Sequence, residues 1–423
     1  MVPASFVGLS YEKSELWDPF FTSANSSLIA MFRLLGNGLL RVGGNSVDQT
    51  NWNPNGAGET SGEMAPADVD RLAGFLAAAQ WPVLYGVNMA QSTPGVAAAE
   101  VAYAAKAFGS NLFGIEIGNE VDLYPGHYFP SRWGFSDYLT MWKSFASAIL
   151  AETPGVALTG PVAGGNTAWF QQFAQAEGKN VVLLSMHYYR ANGQSPSSNI
   201  QELISYPDTK LEKALAPLEV ASVTAGVPYR MAETNSFYHG GAPNVSDTYA
   251  SALWVIDHLF TIAQAGSAGV NLHGGGNSTG YTPIANNLRS VLEARPEYYG
   301  VLLFKLAGQG PMLGTTIGAG ALNVSAYTVQ NSGTQLRVIL VNKDETQNLQ
   351  FTASCPGSVM SASLQEMTGP GLAATTGVRI QGSPVNVDGS FAPETPYDLV
   401  VTGNNVTGYV PAASAVLMVV TLE

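Results

Sequence analysis

LFGIEIGNE at residues 112–120 and YRMAETN at residues 229–235 are short runs of apolar and β-branched residues that end in polar side chains. Runs of this kind are typical of buried strands in a parallel sheet. Six more such runs occur along the chain, and stretches with helical periodicity separate them. The predicted strands span residues 5–12, 39–44, 82–88, 112–118, 157–162, 181–188, 229–233 and 269–273, and the predicted helices span residues 24–35, 66–80, 96–108, 136–152, 168–177, 200–225, 245–265 and 296–307.

This alternation of strands and helices predicts an α/β fold, a (β/α)8 TIM barrel. A doubly wound open sheet, the rival α/β arrangement, more often carries a glycine-rich phosphate loop after its first strand, and SFVGLSYEKSEL at residues 5–16 has no such loop. After about Gly308 the helical periodicity ends, and apolar runs such as Gln335–Asn342 are separated by turn residues. We therefore predict a catalytic barrel at residues 1–308 and an antiparallel β-sandwich at residues 309–423.

The composition of the chain excludes several classes of function. The formal net charge is −13, with 18 Lys and Arg against 31 Asp and Glu, so repulsion opposes binding to nucleic acid and to anionic membranes. The single cysteine, Cys355, excludes an intrachain disulfide, and no apolar run is long enough to span a bilayer. MVPASFVGLSYE at the start does not resemble a signal peptide. We expect the native protein to be exported or periplasmic, with a signal and an early sandwich strand ahead of this sequence.

Two carboxylates are expected at the mouth of the barrel, because the active site of a TIM barrel lies at the carboxyl ends of its strands. The fourth strand ends in Asn119-Glu120 and the seventh ends in Glu233. A glycosidase needs one protonated carboxyl that donates to the leaving oxygen and one ionised carboxylate that attacks the anomeric carbon. We predict Glu120 as acid/base and Glu233 as nucleophile, about 5–5.5 Å apart as retention requires. Glu116 is interpreted as a structural residue whose carboxylate is salt-bridged or solvated.

GIEIGNEVDLY at residues 114–124 and MAETNSFYHGGAPNVSDTYASALWVIDHL at residues 231–259 resemble glycoside hydrolase family 79, the β-glucuronidases and heparanases, and most closely its bacterial exo-acting members. The resemblance covers nearly the whole chain. It implies the same roles for Glu120 and Glu233. It also implies that Asn119 contacts the sugar 2-hydroxyl and that Tyr189 donates a hydrogen bond to Glu233, with Tyr188 as the rival candidate.

The resemblance further implies a site for the carboxylate of a uronic acid after the seventh strand. SFYHGG at residues 236–241 follows the nucleophile directly, and backbone N–H groups and a tyrosine hydroxyl can bind an anion without a cation. The implied donors are Tyr238 and the backbone N–H of Gly240. Tyr281 would complete the site, and Tyr298 is the rival candidate.

Glu12 and Asn45 stand at the ends of the first two strands and are candidate partners for the remaining sugar hydroxyls. The five histidines lack the paired spacing of a zinc site. His187 and His273 are expected to line the pocket or to pack beside it. We therefore predict no metal and no cofactor.

The acidic charge favours an exo-acting enzyme that hydrolyses terminal β-linked glucuronic acid, with a glucuronide or a glucuronic-acid-containing glycan as its partner. An endo-acting, heparanase-like enzyme would benefit from basic residues along its cleft. Basic residues near the predicted loops are few, and Arg190 and Arg132 are the main candidates. A neutral-sugar retaining glycosidase on the same barrel and a non-catalytic carbohydrate-binding protein are two further candidate functions. The sequence carries no signal of the oligomeric state.

Overall fold

Eight parallel strands close into a barrel in the computed structural model, which describes residues 1–423. The strands pair in chain order, and the first pairs with the last. This arrangement confirms the predicted TIM barrel. The barrel strands are β1 Val7–Glu12, β2 Leu39–Gly43, β3 Val83–Val87, β4 Leu112–Ile117, β5 Leu158–Ala163, β6 Leu183–Tyr189, β7 Tyr229–Asn235 and β8 Val270–Gly274.

Helices follow the strands along the chain. Pro66, Pro94 and Pro296 stand in the first turns of three helices, where a missing N–H costs nothing. Asn166 begins a fourth helix by accepting two backbone N–H groups. The helices are α1 Ser26–Leu34, α2 Pro66–Ala79, α3 Pro94–Phe108, α4 Phe135–Glu152, α5 Thr167–Glu177, α6 Ile200–Leu203, α7 Thr209–Ala225, α8 Tyr249–Gln264 and α9 Pro296–Leu306.

The prediction of one helix over residues 200–225 was wrong, because this segment forms the two helices α6 and α7. Pro207 lies between them, and proline disfavours helical backbone at the residue before it. Asp208 then accepts two backbone N–H groups in the first turn of α7 and starts a new helix. The apolar pattern of the sequence keeps its helical period across residues 204–208, although the backbone is not helical there.

An antiparallel β-sandwich follows the barrel, as predicted. A short hairpin, β9 Ile284–Asn286 and β10 Val291–Ala294, precedes α9. The sandwich strands are β11 Met312–Leu313, β12 Val324–Gln330, β13 Gln335–Asn342, β14 Leu349–Ser354, β15 Val359–Thr368, β16 Arg379–Ile380, β17 Tyr397–Asp398, β18 Val400–Thr402, β19 Asn405–Val410 and β20 Ser414–Leu422. The larger sheet has the order β11-β12-β13-β20-β15-β16, with β17 paired to β15, and the smaller has the order β14-β19-β18.

The apolar core of the barrel continues onto the larger sheet of the sandwich, and two smaller clusters lie within the sandwich itself. Buried Tyr327 and Leu417 of the sandwich belong to the same cluster of contacting side chains as the barrel helices, and Tyr327 stacks on Phe260 of α8 with ring centroids 4.4 Å apart. The predicted boundary at residue 308 falls between the end of α9 and the start of β11, and the division into two domains stays a prediction. No helix is both long and apolar enough to cross a membrane.

A buried ion pair lies where α8 meets the sandwich. Lys343 Nζ donates to Asp257 Oδ2 at 2.5 Å, and its side chain is fully buried. The hydroxyls of Ser325 and Tyr327 also donate to Asp257. Both charges are withdrawn from water, so burying either one without the opposite charge of its partner would be costly.

Replacing Lys343 with alanine should destabilise the protein by about 3–5 kcal/mol, because Asp257 would remain as an unpaired buried charge. Chemical denaturation measures the free energy of unfolding. Lys210→Ala is the matched control, since Lys210 pairs with Glu202 at 3.5 Å and is largely exposed, and we expect a loss below about 1 kcal/mol. A small loss in both variants would contradict the importance of the buried pair.

Candidate active site

A cavity of about 800 Å³ opens at the carboxyl ends of the barrel strands. It is the place where the residues predicted from sequence meet, although they are spread over most of the barrel sequence. All nine of them line it: Glu12, Asn45, Asn119, Glu120, Tyr189, Glu233, Tyr238, Gly240 and Tyr281.

Glu120 and Glu233 face each other across this cavity. One carboxylate oxygen of each and a ring nitrogen of His187 all lie within 4.8 Å of one another. His187 Nδ1 is 3.2 Å from Glu120 Oε1 and 3.8 Å from Glu233 Oε2. The side chain of Glu233 is 8% exposed and that of Glu120 is 18% exposed. The two carboxyls are therefore close enough to act on the two atoms of one bond, and their catalytic roles stay predictions.

Arg41 of β2 connects the strand ends beneath the cavity. Its guanidinium donates to Glu233 Oε2 at 2.7 Å and to Glu116 Oε2 at 2.6 Å. It also donates to Asn119 Oδ1 at 2.9 Å and to Ser10 Oγ at 3.2 Å. Arg41 is fully buried, so these contacts are made where water does not compete. Of the two alternatives for Glu116, the structure shows the salt-bridged carboxylate and not the solvated one, because its side chain is fully buried.

The surroundings of Glu233 favour its ionised form. Burial by itself would raise the pKa of Glu233, but His273, His187 and Arg41 supply positive charge and Tyr189 supplies a hydrogen bond. Together these groups outweigh burial and hold the pKa of Glu233 well below its ordinary range. An ionised carboxylate at this position can act as a nucleophile.

His273, near the end of β8, lies between two carboxylates. Its Nε2 is 3.5 Å from Glu12 Oε1, and its Nδ1 is 4.0 Å from Glu233 Oε2. The same Nδ1 is 3.0 Å from Ser10 Oγ. Burial lowers the pKa of His273, but Glu233 and Glu12 outweigh burial and raise it above its ordinary value. When His273 is protonated, its imidazole adds to the positive charge that faces Glu233.

Two tyrosines stand beside Glu233. Tyr189 Oη donates to Glu233 Oε1 at 2.7 Å, and Tyr281 stacks on Tyr189 with ring centroids 5.9 Å apart. The two rival tyrosines form their hydrogen bonds elsewhere. Tyr188 donates to a carboxylate that caps α7, and Tyr298 is fully buried and donates to a backbone carbonyl of α1.

The loop after β7 presents Tyr238 and Gly240 to the cavity. Gly240 has φ +79°, in the left-handed region that favours glycine. Its carbonyl accepts the N–H of Tyr281 at 3.1 Å, while its own N–H donates to no acceptor of the chain. A Cβ atom at Gly280 would lie 1.7 Å from the Gly240 carbonyl oxygen, so this close approach of the two loops requires glycine.

Glu12, Asn45 and Asn119 also contact one another around the cavity. Glu12 accepts the backbone N–H of Asn45 at 3.1 Å and that of Ser46 at 2.8 Å. Asn119 Nδ2 donates to Asn45 Oδ1 at 3.2 Å. Glu12 therefore holds the turn after β2 in addition to lining the cavity. Contacts of these three side chains with a sugar stay predictions.

Sequence reasoning did not assign Arg41 or Ser10 to the site, and it placed His187 and His273 only in or beside the pocket. A signal existed for Arg41, because a charge in the otherwise apolar strand LLRVG must find a partner when it is buried. Ser10 gives no comparable signal, because small polar residues are common in strands. The pairing of each histidine with carboxylates depends on strands far apart in sequence.

Glu120, His187 and Glu233 are the residues that could together hold a metal ion, since each offers one ligand atom to the same small volume. Arg41 contacts Glu233 from the same region at 2.7 Å, and its charge opposes a cation there. The expectation of no metal stays a prediction.

The chain is similar to proteins that are named for glucuronidase activity. It is 24% identical to a beta-glucuronidase from Aspergillus niger over 409 residues, 82% of this chain and 75% of that protein. It is 28% identical to a beta-glucuronidase from Neurospora crassa over 289 residues, 59% of this chain and 51% of that protein. Heparanase from Rattus norvegicus is 32% identical over 139 residues, 32% of this chain and 25% of that protein. No family model matches the chain.

Solved structures with the same fold include several glycoside hydrolases. A 4-O-alpha-L-rhamnosyl-beta-D-glucuronidase from Fusarium oxysporum 12S has a TM-score of 0.83 and 19% identity, and the match covers 100% of this chain and 96% of that chain. A family 51 alpha-L-arabinofuranosidase from Bifidobacterium longum has a TM-score of 0.71 and 16% identity, over 99% and 96% of the two chains. At these identities the likeness shows the shared fold.

Glu297, in the first turn of α9, lies beside β7. Its Oε1 accepts Asn235 Nδ2 at 2.8 Å, and the same Nδ2 donates to the His273 carbonyl at 2.9 Å. Its Oε2 is buried without a partner. Burial raises the pKa of Glu297 to about 8, although Asn235 and Arg295 act in the opposite direction. Glu297 is therefore a neutral carboxyl at neutral pH.

Glu297→Gln should stabilise the protein near neutral pH, because the amide needs no proton to remain neutral. With the folded pKa near 8 and the ordinary value at 4.5, stability associated with Glu297 is complete below about pH 4.5 and is lost as pH rises through about 8. The gain should reach up to about 3 kcal/mol at pH 7 and vanish near pH 4. Thermal unfolding of both proteins across this range measures it, and a difference that does not change with pH would contradict the assignment.

Proposed function

We propose that this protein is a retaining β-glucuronidase of glycoside hydrolase family 79, which removes terminal β-linked glucuronic acid through a covalent glycosyl-enzyme intermediate. The observation that carries the proposal is the pair Glu120 and Glu233, whose oxygens lie within 4.8 Å at the mouth of a TIM barrel. Retaining glycosidases hold their carboxyls about 5–5.5 Å apart, and inverting enzymes keep them farther apart to admit a water.

In the first step, Glu233 attacks the anomeric carbon while Glu120 donates its proton to the departing glycosidic oxygen. The carbon–oxygen bond to the aglycone breaks, and an ester between the sugar and Glu233 forms. In the second step, Glu120 takes a proton from water, the water oxygen attacks the same carbon, and Glu233 leaves as a carboxylate. Arg41, His273 and the Tyr189 hydroxyl support this assignment because they stabilise the charge that Glu233 carries before and after the reaction.

The uronic acid carboxylate would bind to Tyr238, Tyr281 and the N–H of Gly240. These groups line the cavity beside Glu233, and the Gly240 N–H has no acceptor in the chain. They are neutral donors, and hydrogen bonds to a charged acceptor are stronger than those between neutral groups. The names of the two fungal relatives support glucuronic acid as the sugar.

Exo-acting hydrolysis is favoured by the charge of the cavity lining. The lining contains four carboxylates and no lysine or arginine. Arg190, one of the two basic candidates from sequence, is 7% exposed and is bonded to Asp208 and Ser205, and Arg132 does not line the cavity. A sulfated heparan chain would meet repulsion here without compensating cations.

Two competing functions each have one supporting observation. The match to heparanase favours endo-cleavage of heparan sulfate, although it covers only 32% of this chain. Structural likeness to arabinofuranosidases and to a bifunctional glucanase-xylanase is compatible with a neutral-sugar hydrolase. Substrate comparisons distinguish both from the proposed activity.

A 2-deoxy-2-fluoro glucuronide with a fluoride leaving group should label the protein with one sugar on Glu233, because the fluorine destabilises the positively charged transition state of ester hydrolysis. Mass spectrometry of peptides locates the label. Glu233→Gln should take no label. Glu120→Gln should still take it, since fluoride needs little proton donation, but should lose about 10²–10⁴-fold in kcat on substrates with poorer leaving groups. A label on any other residue would overturn the mechanism.

An aryl β-glucuronide should be hydrolysed far faster than the matching aryl β-glucoside. Tyr238→Phe should lower kcat/KM for the glucuronide by about 10–100-fold, because one hydrogen bond to a charged group is lost, and should leave the rate on the glucoside unchanged. Tyr397→Phe, at an exposed tyrosine of the sandwich, is the matched control.

Equal rates on both aryl substrates would indicate a neutral-sugar hydrolase. Cleavage of a heparan polymer without aryl glucuronidase activity would indicate an endo-acting enzyme. Binding of glucuronides without turnover would indicate a carbohydrate-binding protein.

A further inference from the structure

Glu120 lies in a tight turn whose backbone conformation is unusual. It has φ +49° and ψ +49°, in the left-handed region, which a residue with a side chain occupies at a cost of about 1–2 kcal/mol. Gly118, two residues earlier, has φ +85°, and the N–H of Leu123 donates to the Glu120 carbonyl at 2.8 Å. Such a conformation persists only where neighbouring contacts hold it.

Tyr124 closes this turn with its side chain. Its hydroxyl accepts the backbone N–H of Asn119 at 3.1 Å and donates to Asp48 Oδ2 at 2.5 Å. Tyr124 and Asp48 are each 1% exposed. A Cβ atom at Gly118 would lie 2.6 Å from the Tyr124 hydroxyl, so the chain and the tyrosine are in close contact where the turn begins.

Asp48 in turn is fixed by the loop after β3. Its Oδ1 accepts the backbone N–H groups of Met89 at 3.0 Å and Ala90 at 3.1 Å. A chain of buried hydrogen bonds therefore runs from the end of β3 through Asp48 and Tyr124 to the residue before Glu120. Both oxygens of the carboxylate and the hydroxyl of the tyrosine are occupied within the protein.

We propose that Tyr124, anchored by Asp48, is a positioning residue that sets the orientation of the Glu120 carboxyl for proton donation. The inference rests on the proposed function, in which Glu120 is the acid/base. Tyr124 acts on the backbone at Asn119 and has no part in the chemistry. General acid catalysis requires the donor to lie within hydrogen-bond distance of the departing oxygen, and a displacement of about 1 Å can cost 10²-fold in rate.

Tyr124→Phe tests this role through its dependence on the leaving group. Aryl β-glucuronides with phenols of different acidity should be compared by kcat/KM, which reports the first step. With an unactivated phenyl leaving group, which needs a proton, we expect a loss of about 10–100-fold. With 2,4-dinitrophenyl, which departs without a proton, we expect a loss below about 3-fold. A tyrosine that served stability alone would lower both rates equally.

Two further variants complete the experiment. Tyr229→Phe removes a buried hydroxyl that donates to the Ala265 carbonyl at the other end of the barrel, and it should change neither rate. Asp48→Asn keeps the shape but puts an amide NH2 where the Tyr124 hydroxyl has its charged acceptor, so that hydrogen bond can form only in the reverse direction and is weaker. It should therefore show the same leaving-group dependence to a smaller extent. If Tyr124→Phe does not fold, as judged by circular dichroism, Asp48→Asn carries the test.

Equal losses on both substrates in the variant that folds, or no loss on either, would overturn the positioning role while leaving the proposed function intact. A parent protein that hydrolyses no aryl β-glucuronide would instead overturn the proposed function, and the positioning role with it.

Discussion

The candidate site depends on the hydrogen bonds and ion pairs that the buried guanidinium of Arg41 makes. It donates to Glu116 on β4, to Asn119 directly after β4, to Glu233 on β7 and to Ser10 on β1. Withdrawing one cation and two carboxylates from water is costly, and the cost is offset only when the charges pair with good geometry. These contacts of Arg41 fix the strand ends relative to one another, and they set the position of Glu233 from beneath the cavity.

The two facing carboxylates differ because their surroundings differ. Glu233 is the more buried, and it receives hydrogen bonds from Arg41 and Tyr189 in a region where water does not screen them. Glu120 is more exposed, and its contact is with His187. One fold thus provides one carboxylate held ionised and a second that water can reach. In the proposed mechanism the two carboxyls act on the two atoms of one glycosidic bond in different roles, and different surroundings favour such a division.

Most of the barrel could be predicted because its strands are fully buried and its helices have local start signals. A run such as YRMAETN at residues 229–235 is typical of a fully buried strand. The prediction of one helix over residues 200–225 was wrong, because the backbone restriction before Pro207 and the helix cap at Asp208 override the apolar periodicity. In the site, Glu120 and Glu233 could be placed because the carboxyl ends of parallel strands meet at one rim. Arg41 was missed, because its partners lie on other strands.

The sequence by itself determined the barrel, the sandwich and the two carboxylates, because apolar periodicity and the order of strands and helices fix which residues end each strand. Only the tertiary structure decided which tyrosine contacts Glu233, that His273 stands between two carboxylates, and that Tyr124 closes the turn that carries Glu120. These features depend on distances of a few ångströms between residues that are far apart in the chain or that a tight turn brings together. Such distances are set by how the strands tilt and pack, and no local pattern of residues encodes them.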